Sequence, residues 1–184
     1  MPGVELPRGS IAIVDTSVLY AMGGPSNDKY QAFEEYVTQQ DVAVRIPDHV
    51  AEELGESPEA YRYQRDRLRE AQDAGWLERA EVNFTDSGVS DVVDRTRERF
   101  YSLSAKDITE DEVETTDAVL AGLAYQYATE QSGQVAVLVS DRLAEQAIGD
   151  VLNSMDLREE IEVVEGRTFL DELRDDVHEL GVCQ

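Results

Sequence analysis

The chain predicts an α/β domain built around a mostly parallel sheet, and three observations carry that prediction. Its apolar runs, Ile11–Val14 and Val135–Val139 above all, are continuous in polarity, as strands buried on both faces are. Between the runs lie stretches whose apolar residues recur at helical spacing. The runs are closed by residues that stop a strand: Asp15, Pro47 and the pair Ser140-Asp141. Strand and helix alternating in this way give one layered domain, and 184 residues are enough for one core and hardly for two.

Residues 1–9 read as a disordered lead to a domain spanning 10–184. After the first strand, Thr16 and Ser17 offer hydroxyls suited to capping the next element. Gly23-Gly24-Pro25 breaks the chain, and a helix starts at Asn27 or Asp28 with Tyr30, Phe33, Tyr36 and Val37 at helical spacing. A second strand over 42–46 ends at Pro47, and Pro47-Asp48 opens a helix with Val50 and Leu54 facing inward. A longer helix runs from Ser57-Pro58 to about 74, where Tyr61, Leu68 and Ala71 form the apolar stripe. Residues 76–84 are ambiguous, a short edge strand being one reading. Helices follow over 90–103 and 111–130, then the strand 135–139, a helix over 142–152, a strand over 161–164 and a closing helix over 168–180. The sheet is thus expected to hold about four to five strands flanked by helices, with 56–104 as a helical insertion or arm.

Composition narrows the chemistry. The single cysteine, Cys183, leaves no disulfide framework and no zinc cluster. With only His49 and His178, Ser-His-Asp and Cys-His catalysis have almost no material. No apolar stretch approaches the roughly 18 residues that a membrane span needs. Forty acids against sixteen bases give a formal charge of −24, and the acids are spread among periodic apolar residues rather than gathered into a tail. Lysine is confined to Lys29 and Lys106. This balance predicts a cytoplasmic protein of a high-salt organism, where molar salt shortens the Debye length to roughly 3 Å. Net charge then excludes no polyanionic substrate, because local arginine geometry decides binding.

Four carboxylates stand against apolar backgrounds. Asp15 and Asp141 end strands, at the edge where open α/β sheets bind ligands. Glu53 lies three residues past Val50 on the inward face of its helix, whereas Glu52 points away. Asp117 precedes Leu120, Ala121, Ala124 and Ala128 on the buried stripe of its own helix. Acids are rarely buried unless paired or bound to metal. Like charges about 4 Å apart repel by roughly 4 kcal/mol at an effective dielectric of 20. A set of hard oxygen donors without imidazole or thiolate selects Mg²⁺ or Mn²⁺, which suits phosphodiester hydrolysis.

The segments IAIVDTSVLY, IPDHVAEEL, EVETTDAVLAGLA and VLVSDRLAEQAI, in this order, resemble the four acidic motifs of the PIN domain, a metal-dependent nuclease fold. The closing IEVVEGRTFLDEL is similar to the last strand and helix of that family, so the resemblance covers about residues 10–181. It implies that Asp15, Glu53, Asp117 and Asp141 form a catalytic quartet holding one or two divalent ions, Mg²⁺ or Mn²⁺. Glu114, one turn before Asp117, is then a further ligand or base. Many PIN domains place a threonine or serine two positions before the last acid; here Val139 stands there and Ser140 adjoins the acid.

The resemblance implies a metal-dependent endoribonuclease acting on single-stranded RNA, in a toxin or an RNA-processing role. Ser17 and Ser140, beside the first and last acids, are expected to touch substrate, as are Arg62, Arg65, Arg69, Arg95 and Arg99. Arginines interleaved with Tyr61, Tyr63 and Tyr101 suit phosphate contacts and base stacking. The competing account pairs these arginines with acids on solvated helix faces. The family likeness also implies a homodimer, and an antitoxin or RNA-processing partner over the acidic cleft. A second function class is a PIN-like RNA-binding or scaffold module without turnover. A third, an aspartyl-phosphate enzyme using Asp15 as nucleophile, lacks the second acid two positions on, where Ser17 stands.

Overall fold

The computed structural model describes residues 5–48, 51, 62–104, 115–130 and 133–181, with backbone alone at 62–65, 67, 115, 116 and 177–181. Five strands form one parallel sheet: β1 (Ile11–Val14), β2 (Ala43–Pro47), β3 (Leu77–Ala80), β4 (Val135–Val139) and β5 (Ile161–Glu165). Their spatial order is β3-β2-β1-β4-β5. The chain builds outward from β1 to one side, then crosses back to start the other half beside it. Seven helices flank the sheet among the described residues: α1 (Thr16–Met22), α2 (Asp28–Gln39), α3 (Arg62–Asp73), α4 (Ser87–Leu103), α5 (Thr115–Glu130), α6 (Arg142–Ser154) and α7 (Gly166–Gly181).

Side chains alternate across the central strands, which splits the core into two. Ala12, Val14 and Leu138 face α1, α2 and α7, packing with Val18, Phe33, Phe169 and Leu170. Ile13, Val137 and Val139 face α5 and α6, packing with Leu120, Leu123 and Ile148. Each large apolar side chain buried in this way contributes about 1.5–3 kcal/mol. Helix α5 is buried at every position over 117–124 because α4 covers its outer side. The two approach so closely that a Cβ on Gly122 would lie 2.5 Å from Val93 Cγ2.

Two stretches away from the central strands carry contacts of their own. The supposed lead at 1–9 is anchored in its described part: Leu6 is buried, and its amide donates to the Tyr36 hydroxyl at 2.9 Å. The stretch 56–104 is more than a helical arm. It supplies the edge strand β3, in register with β2 from Val44↔Leu77 to Pro47↔Ala80, and through α4 it buries Val92 and Phe100 in the main core. Trp76, just before β3, anchors that stretch. Its ring meets Tyr30 and Phe33 edge-on at 5.7 Å, and its Nε1 donates to Glu34 Oε2 at 2.9 Å. An aromatic anchor holds β3 against α2 where alternation alone is too short to announce a strand.

Candidate functional site

The reversal of strand order falls between β1 and β4, and both strands end there in an aspartate. Crevices beyond the carboxyl ends of strands at such a reversal are where open α/β sheets bind ligands. Asp15 has two backbone duties. Its amide extends the ladder by donating to Leu138 O at 3.0 Å, and its carbonyl accepts from Val18 at 3.1 Å and Leu19 at 3.3 Å to begin α1. It stands at the N-cap position of α1, yet its carboxylate takes no capping bond from the helix amides. Asp15 Oδ2 accepts instead from the Ser17 hydroxyl, and Oδ1 has a long contact of 3.4 Å from Thr16 Oγ1. At 7% exposure the side chain is buried, and no ion pair among the described residues involves it.

Asp141 follows β4 by two residues and is exposed. Its carboxylate caps α6, accepting from the Leu143 amide at 2.8 Å. Continuing the strand alternation, Ile13 leads to Asp15 and Val139 to Asp141, both toward the face that α5 covers. Asp117 is buried, at 8% exposure, in the first turn of α5. Only residues 131–134 separate the end of α5 from the start of β4, so the helix ends near the amino edge of the sheet. Its first turn is therefore the end turned toward the carboxyl edge, where the two strand-end acids lie.

Glu53 and Glu114 lie outside the described residues. Asp48, five residues before Glu53 in the sequence, is held by Arg79, whose Nε meets Asp48 Oδ1 at 3.1 Å and whose Nη2 donates to Asp48 O at 3.2 Å. Among the described residues, no three His, Cys, Asp or Glu side chains stand together as a ready metal-holding group. The donor chemistry at the crevice nonetheless fits a hard cation. It is all oxygen, and at Asp15 it is buried with hydroxyl donors and, among the described residues, no cationic partner.

The expected substrate residues take several positions. Ser140 Oγ donates to Ser17 Oγ, joining the end of β4 to the first turn of α1. Arg95 pairs with Asp91 at 2.9 Å, one turn away on the same helix. Arg99 grips Asp150 at 2.7 Å, in a groove of about 520 Å³ between α4 and α6. Asp150 is nine residues beyond Asp141 on α6, about 13 Å along the helix axis. Arg69 is exposed on α3, and the side chains of Arg62 and Arg65 lie outside the described residues.

Sequence reasoning missed Glu165, another acid at the carboxyl edge, which ends β5. Its carboxylate is spent on the amides of Arg167, at 3.2 Å, and Thr168, at 2.7 Å. An acid directly before Gly166-Arg167-Thr168 is itself the signal for such a cap. A groove of about 570 Å³ lies at the opposite edge, lined by Val135, Ile161 and Asn153 among others, and none of the strand-end acids reaches it.

No curated protein and no solved structure matches the chain. The family described as the halobacterial PIN domain matches over residues 8–178, from before β1 into α7. With nearly the whole chain matched and the strand-end acids at the reversal of a parallel sheet, this protein belongs to the halobacterial PIN-domain family and has its nuclease-type fold.

Proposed function

We propose that the chain is a Mg²⁺- or Mn²⁺-dependent endoribonuclease that hydrolyses single-stranded RNA in the cytoplasm. The observation that carries this reading is Asp15: a buried carboxylate at the reversal of the sheet, free of capping duty and without a cationic partner among the described residues. Asp15, Asp117, Asp141 and Glu53 would hold the ion, with Glu114 as a further ligand or base. When bound, a divalent ion acidifies water and neutralises charge building on the phosphate. The residues of the chain orient that ion and the strand. Arg62, Arg65 and Arg69 are the proposed phosphate contacts. Arg95 and Arg99 would join them by exchanging exposed carboxylate partners, which is inexpensive because such pairs are worth about 0–1 kcal/mol. Among the described residues no helix is long and apolar enough to cross a membrane. A homodimer, and an antitoxin or processing partner over the acids, belong to the same proposal.

Incubation of the purified protein with labelled single-stranded RNA, Mn²⁺ and molar KCl tests the reading. Cleavage that stops with Asp15→Asn is expected. A specific observation favours a second reading, an RNA-binding module without turnover: Asp141 is exposed and engaged in capping, and the fully buried Val139 replaces the hydroxyl residue of many relatives. RNA that is bound but left intact with Mn²⁺ present would establish that alternative.

A further inference from the structure

We infer that Ser140 is a positioning residue for Asp15 and acts on it through Ser17. This rests on the nuclease reading above and names a part of that site which neither the fold nor the acids specify. The two serines lie 123 residues apart, and their hydroxyls meet across the crevice between β1 and β4. A serine hydroxyl has one proton to give, and an ionised carboxylate only accepts. The carboxylate therefore sets the direction of the whole chain of bonds: Ser17 gives its proton to Asp15 Oδ2, and its oxygen then accepts from Ser140.

While this arrangement holds, neither serine has a proton left for a phosphate oxygen, so both orient the acid instead of gripping substrate. Oδ2 of Asp15 is the held oxygen, and Oδ1, with only the long Thr16 contact among the described residues, is the one available to a ligand. Ser140 also ties α1 to the end of β4, so the rotamer of an acid on one strand is governed from its neighbour. Val139 is fully buried in the core under α5 and α6 and has no such reach, which makes Ser140 the hydroxyl that serves here.

The test uses the full chain as wild type, Ser140→Ala, Ser140→Thr, Ser17→Ala and the Ser17/Ser140 double alanine. Melting is followed against Mn²⁺, and kcat and KM are measured on single-stranded RNA. Ser140→Ala is expected to lower kcat and weaken the Mn²⁺ half-point, each by about 10–100-fold, as loss of an outer partner of a metal ligand does. KM for RNA should stay unchanged, Ser140→Thr should restore most of both, and the double variant should be no worse than Ser17→Ala. A raised KM with kcat intact would make Ser140 a substrate contact and overturn the inference. So would a lower melting temperature with kcat and Mn²⁺ response unchanged. If the wild type neither cleaves RNA nor responds to Mn²⁺, the nuclease reading fails by itself. The metal-free melting losses then decide the relay: non-additive losses for the two serines sustain it, and additive ones refute it.

Discussion

Asp15 and Asp141 occupy equivalent places, each just past the carboxyl end of one of two paired strands and each at the N-cap of the helix after it. They are used differently. Asp141 is exposed and gives an oxygen to the Leu143 amide, whereas Asp15 is buried and its side chain does not cap its helix. A capping aspartate contributes about 1 kcal/mol to stability. A buried one that declines to cap forgoes that gain and adds a desolvation cost. The contrast separates a carboxylate the fold uses from one the fold merely tolerates. Position in the sheet alone does not distinguish them.

The largest effect should come from Asp15→Asn. The amide still accepts from Ser17, so metal-free melting should hold, while cleavage falls by at least about a hundredfold, beyond the loss typical of outer partners. Equal loss of stability and activity would erase the distinction between the two acids. Next come two glycines, one on each acid's side. A Cβ at Gly166 would lie 2.5 Å from Val18 Cγ2 on α1, the helix that begins just after Asp15. Val18 is fully buried and its branched side chain cannot swing aside. Gly166→Ala should therefore cost about 1–3 kcal/mol, roughly 2–4 °C of melting temperature per kcal/mol in a domain of this size. On α6, behind Asp141, a Cβ at Gly149 meets nothing within 4 Å. Gly149→Ala should stabilise by up to about 1 kcal/mol through helix propensity.

A smaller effect tests the cap itself. Asp141→Ala should cost about 1 kcal/mol, while Asp141→Asn, an equally good cap, should melt like the wild type. If asparagine also abolishes cleavage, Asp141 serves the chemistry in addition to the helix. The smallest effect lies away from both acids. Burial, with Glu34 and Glu70 nearby, raises the Tyr30 hydroxyl from its ordinary value of 10.0 to about 12. The unfolded chain then releases that proton first as pH rises, so stability present below pH 10 is lost progressively between about 10 and 12. Melting across that range in wild type and Tyr30→Phe checks it: the phenylalanine variant should lose less.

Much of the fold is legible in the sequence, and the reasons are physical. Strands buried on both faces announce themselves as apolar runs, so β1 and β4 have the bounds that their residues predict. Asp117 stands out because it is an acid leading an apolar run, 118–124, that the fold buries at every position. The edge strand β3 is barely readable, since Leu77 and Ala80 are buried but Glu78 and Arg79 are exposed, and four residues carry too little pattern. The anchoring of Leu6 depends on a hydroxyl thirty residues away. The link between Ser17 and Ser140 exists only once the strands pair, and no local rule predicts it. Arginine spacing on α4 does not say whether Arg95 and Arg99 answer to acids or to phosphates. In the folded chain each has an acid in hand.

The strand order also dictates when the crevice can exist. β1 is made before the other four strands, but the neighbour that forms the other wall, β4, comes only after two further strands have been made. Closing so long a loop delays the pairing. A nascent chain can thus raise β1, β2 and β3 and still have no second wall. Whatever chemistry the acids perform is withheld until β4 has been made and has paired with β1.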